Sequence, residues 1–217
     1  VSEKLIGYLK ERAKGGVSLI ITGYAYIDQK ASKSLPCQLG IYSDSLIPGL
    51  NRLAEEIHSS GTKCIIQIAH CGPKATPEFI EGKPPSPSGV PFQYSRNPGN
   101  ETKKLRKKEI NEIKKSFIKA ASRAERADFD GVELHGAHNY LISQFLSPKF
   151  NLRQDRYGGS TKNRTRFLLE IIEGIKNEVN KDFAIGVRYN GKEFMEGGLD
   201  LKESVKIGQI LEKAGID

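Results

Sequence analysis

A chain of 217 residues with 37% hydrophobic and 28% charged residues can build one sizeable core or two small domains, and this composition excludes a disordered polymer. No apolar stretch approaches the roughly 20 residues that span a bilayer, so no membrane partner is expected. The formal charge of +8 raises a nucleic-acid partner, with Lys103, Lys104, Arg106, Lys107, Lys108, Lys114 and Lys115 as its best support. However, Glu109 and Glu112 are interleaved with that cluster and no aromatic platform accompanies it, so a solvated helix face is the better reading and no nucleic acid is expected.

The elements follow in chain order. Val1-Ser2-Glu3-Lys4 opens a charged amphipathic segment and not a secretion signal; lacking an initiator Met, it reads as a chain entered in mid-helix with its amino terminus missing. Val17 to Thr22, Lys63 to Ile68, Gly131 to His135 and Phe183 to Arg188 are short, apolar and rich in β-branched residues, as strands of a parallel sheet covered on both faces should be. Helical spacing separates them: Leu50, Leu53 and Ile57; then Ile110, Ile113, Phe117 and Ala121; then Phe167, Leu168, Ile171, Ile172 and Ile175. Asp44 is placed to start the first of these helices. Asp200-Leu201-Lys202-Glu203 starts a last one, which Gly215 stops before Ile216-Asp217 begins a further strand.

Between about residues 69 and 102, seven prolines and several glycines leave no room for regular structure through most of the stretch. A connection that long after a strand end is expected to be a functional loop inserted in a single domain covering 1–217. Strand-helix alternation fits either a doubly wound sheet or half of an eight-stranded barrel. No glycine fingerprint follows the first strand, and polar groups cap all four strand ends (Thr22-Gly23, Gln67 with His70, His135, Arg188), so a partial (β/α)8 barrel is preferred.

Three cysteines, Cys37, Cys64 and Cys71, match neither a disulfide framework nor a metal-binding pair, and a reducing cytoplasm is expected. The concentrated chemistry is at His135, His138 and Tyr140. Two imidazoles and a phenol within six residues at a strand's carboxyl end can polarise a carbonyl and supply a proton, or can serve as packing groups.

The run from Gly131 to Pro148, continued by Asn151, Arg153, Asp155, Tyr157-Gly158-Gly159-Ser160 and Asn163-Arg164, resembles the old yellow enzyme family of FMN-dependent ene-reductases. Leu19 to Gly23, Ile66 to His70 and Gly186-Val187-Arg188 resemble that family's second, third and fifth barrel strands, so the chain would carry about strands 2 to 5 of an α/β barrel. The resemblance implies that Thr22 and Gly23 lie against the isoalloxazine, Gln67 bonds its pyrimidine edge and Arg188 faces its N1 region. It also implies that His135 and His138 grip the substrate's carbonyl oxygen, His135 lying close to the cofactor, and that Tyr140 donates a proton to the α-carbon. NADH or NADPH would be the reductant and an enone or enoate the substrate. Relatives with an iron-sulfur module carry it downstream of the region matched here. Asn139 replaces the usual glycine, Pro73 stands where many relatives have Arg, and Tyr24 is bulky beside the flavin position.

Two alternatives are carried alongside. One is a noncatalytic half barrel that holds no cofactor and whose open strand edges make it prone to associate, as a homo-oligomer for example. The other is a metal-dependent hydrolase using His135 and His138 with His70 or Glu133.

Overall fold

The computed structural model describes residues 1–92 and 101–217; Pro98 and the rest of the proline-rich stretch from 93 to 100 lie outside the described residues. The first helix, α1 (Glu3–Lys14), does not start in mid-turn. The Ser2 side chain accepts from Leu5 N–H at 3.3 Å, and Ile6, Leu9 and Ala13 give the helix its buried stripe.

Then come β1 (Leu19–Ile21), β2 (Ala25–Tyr26), α2 (Ile47–His58), β3 (Lys63–Ala69), β4 (Pro85–Ser86), β5 (Lys103–Lys104), α3 (Lys107–Arg126) and β6 (Gly131–Gly136). The chain continues through α4 (Leu141–Leu146), α5 (Thr161–Lys176), β7 (Ala184–Tyr189) and α6 (Leu201–Lys213). The main sheet runs β1-β3-β6-β7, every pairing parallel, with β2 also on β3. This is the expected partial barrel. The long loop is not wholly irregular, because β4 pairs with β5 and two short 3-10 turns lie between β3 and β4.

Register sorts the side chains. Cys64, Ile66 and Ile68 of β3 and Val132 and Leu134 of β6 point outward and are fully buried against Leu53, Ile57, Phe117, Ala121, Phe167 and Ile171 of the helices. The alternate residues face what would be the lumen: Leu19, Ile21, Ile65, Gln67, Glu133, His135, Gly186 and Arg188 share this parity. Leu19 and Ile21 on that face are 46% and 44% exposed, because no facing strands cover them. At the other edge Asp217 N–H donates to Ile185 O at 3.2 Å and its carboxylate accepts from Ile185 N–H at 2.8 Å, without a regular strand at Ile216-Asp217. Gly131 is obligatory: a Cβ at this position would lie 2.4 Å from Ala184 O on β7.

Two expectations need correction. Asp44 does not cap α2; Ser43 caps the 3-10 turn that precedes it, and the Asp44 carboxylate binds Arg123 and Arg126 of α3 at 2.7 and 2.9 Å. The basic cluster is also not all on one helix. Lys103 and Lys104 form β5, where Lys103 pairs with Glu109, while Lys114 is taken by Glu170 at 2.6 Å, so much of the local charge is neutralised.

Candidate active site at the carboxyl ends of the strands

Three residues, Thr22 to Tyr24, lie between the paired positions Ile21/Ile65 and Ala25/Ile68, where β3 spends only two, Ile66 and Gln67. The extra residue breaks one strand into β1 and β2 as a bulge does. Thr22 is fixed there: its N–H donates to Ile65 O at 3.0 Å, and its hydroxyl donates to Gly23 O at 2.9 Å while accepting from Gln67 N–H at 3.3 Å. Open space lies beside Gly23, with nothing within 4 Å of where a Cβ would be. At the end of the bulge Tyr24 turns its ring to His135 and Tyr140, with centroids 5.9 and 5.3 Å away.

The loop after β6 makes the rest of the cluster. His138 and Asn139 both adopt positive φ, 57° and 59°, a conformation that Asn tolerates in place of the usual glycine, while the left-handed His138 carries no sequence signal. Those two residues fold the chain back on itself. His138 Nδ1 comes 3.4 Å from His135 Nε2, and the Tyr140 ring packs edge-on against His135 with centroids 4.7 Å apart. Asn190, past β7, accepts from His138 N–H at 3.1 Å, and Leu141 N–H donates to His70 O at 3.1 Å, tying the loop to both neighbouring strands.

Protonation follows from burial. His135 is 3% exposed, and its pKa is pushed down to about 4 by desolvation first, then by the charges of His138, Arg188 and Lys74. Its Nδ1 accepts from Ala137 N–H at 3.3 Å, which leaves the proton on Nε2, facing His138. His138 is lowered as well, by desolvation and then Arg188 and Lys74, so both rings are neutral hydrogen-bond partners near pH 7. Desolvation, then the hydrogen bond to Tyr24, raises Tyr140 well above the ordinary phenol range, and its proton stays on.

On the same face of the sheet, Gln67 is 6% exposed and its side-chain amide donates to Glu133 on β6. Arg188 pairs in register with His135 and is exposed. A cleft of about 520 Å³ opens beside them, lined by His138, Arg188, Tyr189 and Asn190 among others. The larger cleft, about 600 Å³, lies away from this chemistry against α3. The structure therefore gathers His135, His138 and Tyr140, with Tyr24, in direct contact. Thr22 and Gln67 touch each other one strand away, and Arg188 borders the imidazoles.

Three participants were missed or misjudged in sequence. Glu133, weighed as a metal ligand, is engaged by Gln67. Lys74, one residue past the Pro73 that replaces an arginine, brings its Nζ 5.4 Å from the Tyr140 ring centroid. Ser34, on a loop with no sequence signal, acts on Tyr140 in the opposite sense to burial, holding its pKa down. A metal site is not assembled: among the described residues no group of three or more His, Cys, Asp or Glu could hold an ion, and the His70 ring faces Asp28 at 3.5 Å instead of the other histidines. As a set, the Thr22 hydroxyl, the space beside Gly23, the Gln67 amide and the Arg188 guanidinium could hold the polar edge of a flat heterocycle beneath the histidines.

The sequence model of the NADH:flavin oxidoreductase / NADH oxidase family matches residues 1–217. An NADH oxidase of Thermoanaerobacter brockii is 46% identical over 217 residues, all of this chain and 33% of that protein. An NADH:acrylate oxidoreductase of Vibrio harveyi is 37% identical, again over all of this chain but 22% of the relative. Among solved structures, 2-naphthoyl-CoA reductase with 2-naphthoyl-CoA superposes with a TM-score of 0.94 at 32% identity, covering 100% of this chain and 34% of that one. The old yellow enzyme homologue of Zymomonas mobilis gives 0.88 at 27%, covering 99% and 62%. The chain thus spans about a third or less of the two curated relatives.

Proposed function

Because the chain belongs to the NADH:flavin oxidoreductase / NADH oxidase family, we propose that it is the site-bearing part of an FMN-dependent enzyme that uses NADH or NADPH to reduce activated carbon-carbon double bonds next to a carbonyl. The observation that carries this reading is the contact of His135, His138 and Tyr140 at the mouth where Arg188 and Gln67 also end. FMN supplies hydride when bound. Gln67, held by Glu133, would bond its pyrimidine edge, Arg188 would supply fixed positive charge to it, and Thr22, the open flank of Gly23 and His135 would line the ring.

The substrate's carbonyl oxygen accepts from the two imidazoles. Negative charge grows on that oxygen when the β-carbon takes hydride, and donors already in place stabilise it without rearranging. Tyr140 then protonates the α-carbon, a step suited to a phenol that keeps its proton at any working pH. Tyr24 orients Tyr140 and narrows the pocket.

The 217 residues by themselves are a poor flavin protein in this reading, because exposed Leu19 and Ile21 and the β1 and β7 edges ask for the remaining strands. The three cysteines are free, Cys64 and Cys71 buried, in keeping with a reducing cytoplasmic setting. Among the described residues no helix is long and apolar enough to cross a membrane.

The test uses the full-length protein loaded with FMN under anaerobic conditions. Oxidation of NADH or NADPH that depends on added 2-cyclohexenone or cinnamate and yields the saturated product supports the proposal. A protein that takes up no FMN, or that oxidises the nicotinamide only when oxygen is admitted, sinks it.

A further inference from the structure

Lys74 ends a 3-10 turn, Gly72–Lys74, that leaves β3 with Gly72 at φ +57°. The turn matters because a Cβ at Gly72 would stand 3.0 Å from Leu141, so the segment is pressed against the start of α4. From there the half-buried ammonium reaches into the site, 5.4 Å from the ring centre of Tyr140 and 5.7 Å from that of Phe92. Among the described residues no carboxylate lies within ion-pair distance of it, whereas Lys83 at the far end of the same loop is paired with Glu101. Its charge is felt by both imidazoles, and burial lowers its own pKa, as expected of a cation that lacks a counter-charge.

We propose that Lys74 is a specificity-determining residue whose counter-ion is the substrate's own carboxylate, so that the site selects α,β-unsaturated carboxylates over neutral enones and enals. The inference rests on the ene-reductase reading above and deepens it. Chemically, a carboxylate is a reluctant activating group because it is already negative. Addition of hydride to its β-carbon builds a second negative charge on the same two oxygens. Neutral His135 and His138 can donate hydrogen bonds but add no net charge, and an ammonium on their flank supplies it. The overall reaction balances as enoate plus NAD(P)H plus a proton giving the saturated carboxylate plus NAD(P)⁺. Hydride goes to the β-carbon and the proton to the α-carbon.

The experiment compares cinnamate with cinnamaldehyde, which share a skeleton and differ in charge, on the full-length FMN-loaded protein and its Lys74→Met and Lys74→Arg variants. The expected result is that the ratio of kcat/KM for cinnamate over cinnamaldehyde falls about ten- to a hundredfold in Lys74→Met, the range of a charge-assisted hydrogen bond, and is largely restored in Lys74→Arg. A structural role lowers both rates together and leaves the ratio unmoved, which overturns the proposal. Binding gives an independent readout. The Kd of the unreactive 3-phenylpropanoate, read from the flavin absorbance, should rise by a similar factor in Lys74→Met while that of 3-phenylpropanamide does not; equal shifts for both also overturn it. Reduction of cinnamaldehyde but not cinnamate by the wild type rejects the role of Lys74 and spares the ene-reductase reading. Reduction of neither rejects that reading, with the binding arm still deciding whether Lys74 recognises carboxylates.

Discussion

Gln67 on β3 donates its side-chain amide to the carboxylate of Glu133 on the neighbouring strand β6, and register places the two residues side by side on the inner face of the sheet. An amide free to rotate presents either its oxygen or its nitrogen to a ligand. The carboxylate can only accept, so it fixes the nitrogen toward itself and leaves the oxygen free for an N–H donor.

Replacing Glu133 by Ala is therefore expected to weaken FMN binding about ten- to a hundredfold, the worth of one hydrogen bond to a charged group, without touching the flavin directly. Glu133→Gln, which can still accept, should stay within a few-fold. Fluorescence titration of the apoprotein with FMN measures both. Equal affinities for wild type and Glu133→Ala would remove Glu133 from the site.

Tyr140 is expected to act only after hydride has left the flavin. Tyr140→Phe keeps the ring that packs on His135 and Tyr24 and removes the proton. Reduction of the enzyme by NADPH, followed by stopped-flow bleaching of the flavin, should change little. Reoxidation by an enone should slow by roughly 10²- to 10⁴-fold, the usual contribution of a positioned acid. Slowing of both half-reactions alike would mean that the phenol shapes the pocket and does not supply the proton.

The outward-facing half of the fold was legible because its code is local. Cys64-Ile66-Ile68 and Val132-Leu134 alternate with period two, and the helices that cover them repeat near 3.6. The site was legible where consecutive residues carry it, in the run from His135 to Tyr140. The bulge at Thr22 to Tyr24 was not, because an extra residue shows only when the strand is set against β3. Lys74 was hidden for a related reason. Pro73 reads in sequence as a lost cation, whereas the 3-10 turn rotates the next side chain into the same mouth. The Gln67 and Glu133 partnership needs the β3/β6 register, which spacing along the chain does not contain.

Stability should carry the signature of His135. Its pKa is about 4 in the folded protein against 6.5 for the free side chain. Above pH 6.5 neither state binds the proton, and the burial of a neutral ring is without penalty. Between 6.5 and about 4 the unfolded chain takes up a proton that the native state refuses, so stability falls as pH falls; below about 4 both states are protonated and the effect levels off. At about 1.4 kcal/mol per pKa unit, the loss over that window is on the order of 3 kcal/mol. Urea unfolding at pH 7.5 and 4.5 should thus show wild type losing more stability than His135→Asn, which has nothing to titrate. Other acid-sensitive groups, such as Glu109 with its pKa of about 2, are common to both proteins and cancel in the comparison. Parallel losses in the two proteins would mean that His135 is more exposed than its environment indicates.

The long loop after β3 owes its position to one arginine. The Arg153 side chain is 4% exposed. Its Nη1 donates to Pro87 O at 2.6 Å and Leu105 O at 2.7 Å, while Nε and Nη2 grip the two oxygens of Asp155 at 3.1 and 2.7 Å. A planar fork with donors on both sides joins three segments that are otherwise distant in sequence, and an ammonium cannot reproduce it. Arg153→Met leaves two buried carbonyls and a carboxylate without their donor, a loss of about 3 kcal/mol or more, which for a protein of this size is a fall in Tm of roughly 10 °C. Arg153→Lys should recover only part of it. The loop that Arg153 anchors also carries Lys74 and Phe92 to the edge of Tyr140. In the folded Arg153→Lys enzyme KM should therefore rise more than kcat falls, because the chemistry stays on β6 while the wall that positions substrate loosens. Thermal melts and steady-state kinetics on the same preparations measure both effects; a lower Tm with an unchanged KM would confine Arg153 to holding the fold.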